Sequence, residues 1–506
     1  MKNLIKKHSF HLGLIGIVAA NLIFLLSFAG VRSLWYDDIY QLFFSWNRSF
    51  ADTMRTVLSV DLNPPLWAVI SHFWLKIAPY GTFFVKLPSV LFVSGGVYLC
   101  GLAGKELFGK RAGILSAFLF AVSPYVVTEC AFSFRAYGLY LFASAFIIYA
   151  YARKLKEPTF GNRVLFGIGV FLVAFTHYFG ALLYVFLGIS DLVLAIKKKQ
   201  KANFFIEYVS VAVLELFWLV PQVTTITTAL SGFWPPRPNI LSCLNLFSYL
   251  LHESYFIAVI FLIALAFLAV RLVKKVKRKG AETAFESESY AKAAFTLICV
   301  LMVAAIAVYC NIRPQSSVWV YRYFFCLYPM LMLLFASAML DAFELMISRV
   351  SKKRERTVGI ISVSLVAVIF LSNYAGTVIY KHSEEFEPFE QVADLIMSED
   401  EVKDGEQVLV YSTVDCGEGF RYYLSRNNTV NTDHIRIMDN VDYVTDKEGL
   451  LKALSEYDTV YLYGEHMFTS ADSTKLSELK DILSETHKGE LIDRERTVYK
   501  YVKAQG

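Results

Sequence analysis

Long apolar segments separated by short polar loops fill the first 380 or so of the 506 residues in this chain. A helix rises 1.5 Å per residue, so a run of about 20 apolar residues crosses the ~30 Å hydrocarbon core of a membrane. The chain holds about eleven runs of roughly this length, at residues 10–30, 86–104, 112–128, 134–152, 163–176, 178–196, 204–222, 253–273, 292–310, 324–346 and 357–376. The pattern predicts an α-helical polytopic membrane protein.

The loop at 31–85, between the first two predicted spans, is too polar to cross a membrane. It contains amphipathic runs near 38–58 and 66–78 that carry many aromatic residues. Amphipathic helices of this kind lie in the membrane surface, with the apolar face turned to the lipid. We therefore expect surface helices in this loop, within a transmembrane domain over 1–379.

The remaining segment, 380–506, has a different pattern. Short apolar runs at 407–412 and 459–463 are typical of buried strands, and amphipathic helices are predicted near 386–398 and 473–484. Strands that alternate with helices form α/β domains. The sequence predicts a small soluble α/β domain here.

Composition agrees with a membrane protein. Hydrophobic residues make up 56% of the chain and charged residues 18%, with a mean hydropathy of +0.46, whereas soluble proteins have about 25% charged residues. The net charge of +5 comes from short basic clusters between apolar runs, so it indicates membrane topology and no nucleic-acid partner. The seven cysteines have no C-x-x-C spacing, which favours small buried side chains over disulfides or a zinc site.

The basic loops fix a predicted orientation, because Lys and Arg accumulate on the cytoplasmic side. With a cytoplasmic amino terminus, every strongly basic loop lies inside, at 105–111, 153–163, 197–201, 271–279 and 349–356. An odd number of spans then places the carboxyl-terminal domain outside, in the cell envelope. The first apolar run is longer than a signal-peptide core and is expected to remain as a helix.

Polar and charged residues gather on the predicted outer face, where each has a structural explanation as well as a functional one. Carboxylates there can be solvated loop ends, Lys an interfacial anchor, and His or Glu a structural partner. The residues concerned are Asp37, Asp38, Asp61, Asn63, Lys86, Glu129, Arg135, Tyr137, His177, Arg313, Arg322 and Tyr323. None is specific alone, but their agreement on one side predicts an outer-face site for an anionic ligand such as phosphate.

Several of these residues lie in motifs that resemble those of the GT-C superfamily of polytopic glycosyltransferases. The similarity is to the protein-mannosyltransferase-like group that includes the lipid A aminoarabinose transferase. Trp35–Asp38 matches W-x-D-E with Asp for Glu, and Asp61–Leu66 matches D-x-H-P-P-L with Asn for His. Lys86–Ser89 matches R-L-P-S, and His177–Phe179 matches H-Y-F.

Three weaker matches extend the resemblance over most of 1–375. Phe132–Tyr137 lies where the family often has Q-E-A-R-x-Y, so Arg and Tyr are kept and Glu129 takes the place of the missing Glu. Phe233–Pro238 resembles F-W-x-P-x-P in an outer loop, and Arg322–Tyr323 resembles an R-Y before a late span. The carboxyl-terminal domain carries no such motif.

The resemblance implies a glycosyltransferase that uses a sugar linked through phosphate to a polyprenol, with an acceptor of unknown class: a cell-wall polymer, a glycolipid or a protein. Asp37 would be the catalytic base, Arg135, Arg322 and Lys86 would hold the phosphate, and His177 would donate a hydrogen bond to it. The other outer-face residues would shape the site or bind the sugar. A single displacement inverts the anomeric centre. No cofactor is implied, although Asp37 with Asp38 could hold a divalent metal.

Two other classes of function stay open at this stage. A transporter or flippase of polyprenyl-phosphate lipids also needs Arg to bind the phosphate. It should, however, carry polar residues at mid-membrane, where the predicted spans have few. A non-catalytic membrane scaffold that displays the carboxyl-terminal domain should tolerate substitution of the outer carboxylates.

Overall fold

The computed structural model describes residues 2–198, 205–231, 233, 235–313, 317–383, 388–413, 417–425, 433–464, 470–494 and 496–504. Their contacts form two compact units. The first unit takes in Met1–Ala29, Asn47–Trp74 and Lys86–Ser383, and the second takes in Gly30–Trp46, Leu75–Val85 and Glu384–Gly506. The loop between the first two long helices therefore contributes to both units.

The chain up to Ser383 is almost entirely helical. Its α-helices are α1 (Lys2–Phe28), α2 (Tyr36–Ser45), α3 (Phe50–Val60), α4 (Leu66–Ile77), α5 (Thr82–Phe108), α6 (Lys110–Ala121), α7 (Tyr137–Lys156), α8 (Phe160–Ala174), α9 (Tyr178–Lys198), α10 (Ile206–Leu230), α11 (Ile240–Leu250), α12 (Tyr255–Lys279), α13 (Ser287–Ile312), α14 (Tyr328–Ser348) and α15 (Lys352–Ser383). A π-helix at Val126–Ala131 and 3₁₀ helices at Ala281–Phe285 and Tyr321–Leu327 join some of them.

Each predicted apolar run overlaps an α-helix. In the described residues, eight helical segments are long and apolar enough to cross a membrane. They are His8–Phe28, Thr82–Phe108, Tyr178–Lys198, Ile206–Leu230, Tyr255–Lys279, Ser287–Ile312, Tyr321–Ser348 and Lys352–Ile379. The predicted runs at 112–128, 134–152 and 163–176 correspond to α6, α7 and α8, which are shorter or more polar. The protein is a multi-pass helical membrane protein.

Two predicted helical runs are interrupted, each for a local reason. The apolar run at 112–128 ends as α6 at Ala121, three residues before Pro124, which cannot donate a helical backbone hydrogen bond. The amphipathic run at 38–58 forms α2 and α3, because Asn47 adopts a positive φ of 54° and Ser49 caps α3 by accepting from the Asp52 N–H at 3.1 Å.

Buried ion pairs join four helices at the basic end of the first unit. Lys154 of α7 has a side chain that is 1% exposed, and its Nζ lies 2.8 Å from Asp191 of α9 and 2.9 Å from Glu207 of α10. Arg163 of α8 reaches the other oxygen of Glu207 at 2.8 Å. Charges are tolerated in such apolar surroundings only when they are paired, so these contacts fix the register of α7–α10.

The second unit contains a five-stranded sheet in the order β2-β1-β3-β5-β4. Its strands are β1 (Val408–Ser412), β2 (Ile435–Met438), β3 (Thr459–Tyr463), β4 (His487–Asp493) and β5 (Val498–Lys503). Its further helices are α16 (Phe389–Ser398), α17 (Asp400–Lys403), α18 (Gly417–Ser425), α19 (Asn440–Thr445), α20 (Lys447–Glu456) and α21 (Ser470–Thr486). β1, β2 and β3 are parallel, and the β4–β5 hairpin adds two antiparallel strands. The predicted α/β fold is confirmed.

Within the second unit, two tyrosines of α18 bind the loop segments Gly30–Trp46 and Leu75–Val85. The Tyr423 hydroxyl accepts from the Leu34 N–H at 2.8 Å and lies 2.8 Å from the Thr82 hydroxyl. The Tyr422 hydroxyl accepts from the Gly81 N–H at 3.0 Å. α2 also packs closely on α18, where the second unit has a glycine, Gly419, against Ile39: a Cβ there would lie 2.5 Å from the isoleucine side chain.

Candidate functional site

A rigid turn follows α3 and begins the site in the first unit. Asp61 is buried, and its Oδ1 accepts hydrogen bonds from the Asn63 backbone N–H at 3.2 Å and side-chain amide at 3.0 Å. This is the side-chain-to-backbone turn that Asp favours. Pro64 disfavours a helical conformation at Asn63, and Pro65 precedes the first residue of α4. Burial raises the pKa of the Asp61 carboxyl, against the Asn63 hydrogen bonds and the positive charge of Arg135.

The turn is tied to two other helices. Gln222 of α10 donates from Nε2 to the carbonyls of Val57 at 3.1 Å and Asp61 at 3.2 Å, and its Oε1 accepts from the Tyr178 hydroxyl. The Leu66 N–H donates to the Phe175 carbonyl at 3.0 Å. These bonds hold the Asp61 turn beside the corner between α8 and α9.

That corner carries His177, which is 4% exposed and surrounded by aromatic rings. Its imidazole stacks on Tyr140 of α7 with 4.7 Å between ring centroids and 19° between planes. Tyr323 lies 4.8 Å away on another side, and the Tyr140 hydroxyl donates to its carbonyl at 3.1 Å. The stack brings α7, the α8–α9 corner and the 3₁₀ helix before α14 together.

His177 is a neutral hydrogen-bond donor. Burial, together with the positive charges of Arg135 and Arg322, lowers the pKa of His177 to about 3. Its Nδ1 accepts from the Phe179 N–H at 3.2 Å, so the neutral ring carries its proton on Nε2. The ring therefore offers one N–H donor and no charge.

The depressed pKa of His177 predicts a pH-dependent stability. Between its ordinary value of 6.5 and about 3, the unfolded chain binds a proton that the folded chain excludes. The free energy of unfolding should fall by up to about 1.4 kcal/mol per pH unit as the pH drops through this window. His177→Gln keeps an acceptor for the Phe179 N–H and removes the titration. We expect the melting temperature of the variant to fall less than that of the wild type between pH 7 and pH 4.5, and equal slopes would contradict the assignment.

Two arginines that are far apart in sequence meet at one aromatic ring. Tyr137, the first residue of α7, is 4% exposed. The guanidinium carbon of Arg135 lies 5.8 Å from its ring centroid and that of Arg322 lies 5.5 Å from it. Glu129, on the π-helix, comes within 3.9 Å of Arg322. The result is a partly buried cationic group with one carboxylate beside it, which suits a phosphate or another dianion.

Close backbone packing supports the segment that carries Arg135. The Ser89 hydroxyl of α5 donates to the Ser133 carbonyl at 2.7 Å. A Cβ on Gly138 would lie 3.0 Å from both the Cys130 carbonyl oxygen and the Ser89 Cα, so a larger residue would push these backbone segments apart. Arg135 itself lies two residues before α7 begins, so the expectation that it enters a predicted span at 134–152 is wrong.

The structure places the remaining predicted residues as follows. Lys86, at the start of the second turn of α5, is 2% exposed and is not an interfacial anchor with its charge in water. Arg313 caps the end of α13 and is exposed. Trp234, from the outer-loop motif, lies outside the described residues.

Asp37 and Asp38 belong to the second unit, in the first turn of α2. Asp38 is fully buried, and its Oδ2 lies 3.5 Å from the Trp35 N–H at the helix start. Asp37 is only half-buried. The pair therefore divides into an inner carboxylate at the helix cap and a more accessible one.

Sequence reasoning missed Tyr140 and Gln222. Tyr140 lies three residues after Tyr137, so both face the same side of α7. Gln222 is a polar residue within an apolar span, which is itself a signal of a functional or bridging role. Among the described residues, no group of three or more His, Cys, Asp or Glu side chains is placed to hold a metal ion.

Neither a protein-family model nor a curated protein matches this chain, but solved structures do. ArnT from Cupriavidus metallidurans bound to undecaprenyl phosphate matches with a TM-score of 0.56 and 13% identity, over 97% of this chain and 98% of ArnT. The oligosaccharyltransferase AglB from Archaeoglobus fulgidus, in complex with an inhibitory peptide and a dolichol-phosphate, matches with a TM-score of 0.52 and 11% identity, over 99% and 75%. An oligosaccharyltransferase from Archaeoglobus fulgidus in complex with Zn and sulfate matches with a TM-score of 0.51 and 13% identity, over 97% of this chain and 73% of that chain.

Proposed function

We propose that this chain is an integral-membrane glycosyltransferase acting on a polyprenyl-phosphate-linked sugar. The proposal starts from the GT-C fold that the chain shares with those structures. The acceptor binds on the extracytoplasmic face, and transfer inverts the anomeric carbon. With the amino terminus inside, the basic loops face the cytoplasm and the carboxyl-terminal α/β domain lies outside.

The observation that carries the proposal is the meeting of Arg135 and Arg322 at Tyr137. The two partly buried guanidinium groups, with one carboxylate beside them, leave a net positive charge at this ring, which supports the binding of an anion there. ArnT contains undecaprenyl phosphate and AglB a dolichol-phosphate in their structures, which supports a lipid phosphate as that anion.

The chemistry requires few groups. An acceptor hydroxyl attacks the anomeric carbon, the bond to the phosphate oxygen breaks, and polyprenyl phosphate leaves with the electron pair. Phosphate is a good leaving group, so a general acid is dispensable, and Asp37 takes the proton of the acceptor hydroxyl. Arg135, Arg322 and Lys86 stabilise the phosphate charge, and the His177 Nε2–H donates to it.

The other outer-face residues have supporting roles in the proposal. Asp61 and Asn63 bind sugar hydroxyls from their rigid turn, and Glu129 sets the position of Arg322. Tyr137 and Tyr323 form the aromatic wall, Asp38 positions Asp37 on α2, and Arg313 contacts the donor from the end of α13.

The test is a transfer assay with the full chain in membranes and a panel of labelled polyprenyl-phosphate sugars. We expect one donor to release polyprenyl phosphate and to yield a product of inverted anomeric configuration. Movement of intact labelled lipid between leaflets, with no product from extracts that contain glycolipids, cell-wall polymers and proteins, would indicate a flippase and overturn the proposal.

Metal chelation should have little effect on this reaction. The mechanism needs a carboxylate and cations that the chain itself supplies. We therefore expect the rate of transfer in excess EDTA to stay within about twofold of the untreated rate. Removal of a catalytic metal, which stabilises the transition state by several kcal/mol, would lower the rate far more. The measurement is the initial rate before and after dialysis against EDTA. Loss of activity that Mn²⁺ or Mg²⁺ restores would assign a metal to the site.

A further inference from the structure

A second charged cavity lies at the other end of the first unit, where α12 ends and α13 begins. It has a volume of about 480 Å³ and is lined by residues of α12, α13 and α14. Six of its lining side chains are cationic and three are carboxylates. The cations are Arg271, Lys274, Lys275, Arg278, Lys279 and Lys292.

The carboxylates neutralise only the inner cations. Lys292, with a side chain 9% exposed, lies 2.7 Å from Glu288 and 3.3 Å from Asp341. Arg271 reaches Asp341 at 3.2 Å. In contrast, Lys274, Arg278 and Lys279 are exposed, and within the described residues none of them forms an ion pair. The exposed rim of the cavity, formed by Lys274, Arg278 and Lys279, therefore carries an excess of positive charge. The inner cations Arg271 and Lys292 are neutralised by carboxylates.

Two leucines of α12 form an apolar part of the cavity lining. Leu268, which is 3% exposed, and Leu272 lie on α12 before Lys274, the first of the exposed rim cations. A free phosphate ion gains nothing from these leucines. A phospholipid uses both surfaces, since its headgroup binds the cations and its acyl chains follow the leucines.

The cavity is separate from the candidate transferase site. Both lie along the spanning segment Tyr321–Ser348, with Arg322 at its start and Asp341 nineteen residues later. At 1.5 Å per residue these positions are roughly 30 Å apart, which is the thickness of the hydrocarbon core. The two sites therefore lie at opposite membrane boundaries.

We propose that this cavity binds the phosphate headgroup of an anionic phospholipid from the adjacent leaflet. The exposed Lys274, Arg278 and Lys279 capture the headgroup, and the lipid fills the space between α12, α13 and α14. The site is independent of sugar transfer.

The test uses the full chain reconstituted with phosphatidylcholine and phosphatidylglycerol, with retained lipid measured by native mass spectrometry after mild detergent extraction. Lys274→Gln/Lys279→Gln/Arg278→Gln should lower retention of phosphatidylglycerol at least about tenfold, since each surface cation contributes about 1 kcal/mol. Leu272→Trp keeps every charge and should also lower retention by filling the cavity. The matched control is Lys352→Gln/Lys353→Gln/Arg354→Gln, an exposed basic run at the same membrane boundary.

Each outcome decides the proposal. Retention that both cavity variants reduce and the control leaves unchanged supports it. Equal loss in the control would mean a diffuse charge effect and overturn it, as would retention unchanged in Leu272→Trp. Inorganic phosphate or diphosphate is added in a parallel arm, and displacement of the lipid at an equal concentration would assign the site to a soluble phosphate compound instead.

Discussion

Asp37→Asn is expected to lower the rate of sugar transfer by about 10²- to 10⁴-fold, the usual contribution of a general base. Asparagine has nearly the same size and can still lie in the first turn of α2, so expression and folding should persist. The amide cannot accept the proton of the acceptor hydroxyl. The measurement is the initial rate with saturating donor, alongside the melting temperature of the purified variant.

The matched control is Asp52→Asn, which changes an exposed carboxylate in the first turn of α3. Both variants lose one negative charge near the start of a helix, but we expect the control to keep its activity. Loss of a general base should lower the rate far more than about threefold. A rate for Asp37→Asn within about threefold of the wild type would therefore remove Asp37 from the mechanism.

Removing either arginine at Tyr137 should have the second large effect. We expect Arg135→Gln and Arg322→Gln each to lower kcat/KM for the lipid-phosphate donor by about 10²- to 10³-fold, as for other groups that stabilise developing anionic charge. Arg322→Lys should lie between, because Lys keeps the charge but loses the planar fork that matches phosphate oxygens. The fold-loss of kcat/KM in the Arg135→Gln/Arg322→Gln double variant should be smaller than the product of the two single fold-losses, because both groups act on one anion.

Arg111→Gln, an exposed arginine at the start of α6, is the control for a general change of charge. The kinetic constants are measured against donor concentration at fixed acceptor. Single variants with an unchanged kcat/KM, or a loss confined to the KM for the acceptor, would contradict phosphate binding by this pair.

Hydropathy predicted most of the helices because a span needs only length and apolar composition, which are local properties. The same reasoning located β1 and β3, whose five residues are all buried. It did not locate the β4–β5 hairpin, since the outward positions of β4 are polar and exposed. It also joined α2 to α3, because a positive φ at Asn47 leaves little trace in hydrophobic periodicity.

The candidate site divides in a similar way. Charged residues next to apolar spans are costly, so Arg135, Arg322 and His177 could be selected from the sequence. The contacts that organise them could not, because the stacking of His177 on Tyr140 and the bonds from Gln222 to Val57 and Asp61 join residues that are far apart in sequence. Such pairings depend on tertiary packing, for which a single sequence has no periodic signal.

The discontinuous make-up of the second unit affects how the protein matures during translation. Ile39 of α2 leaves the ribosome 380 residues before its packing partner Gly419. At ~5–20 residues per second, the delay is on the order of 20–75 seconds. During this interval the nascent loop exposes its apolar face, which invites binding by chaperones or insertion into lipid. A stop codon shortly after α15 would leave in place the eight spanning segments found in the described residues and still expose this face, so we expect such truncated chains to be recognised and degraded.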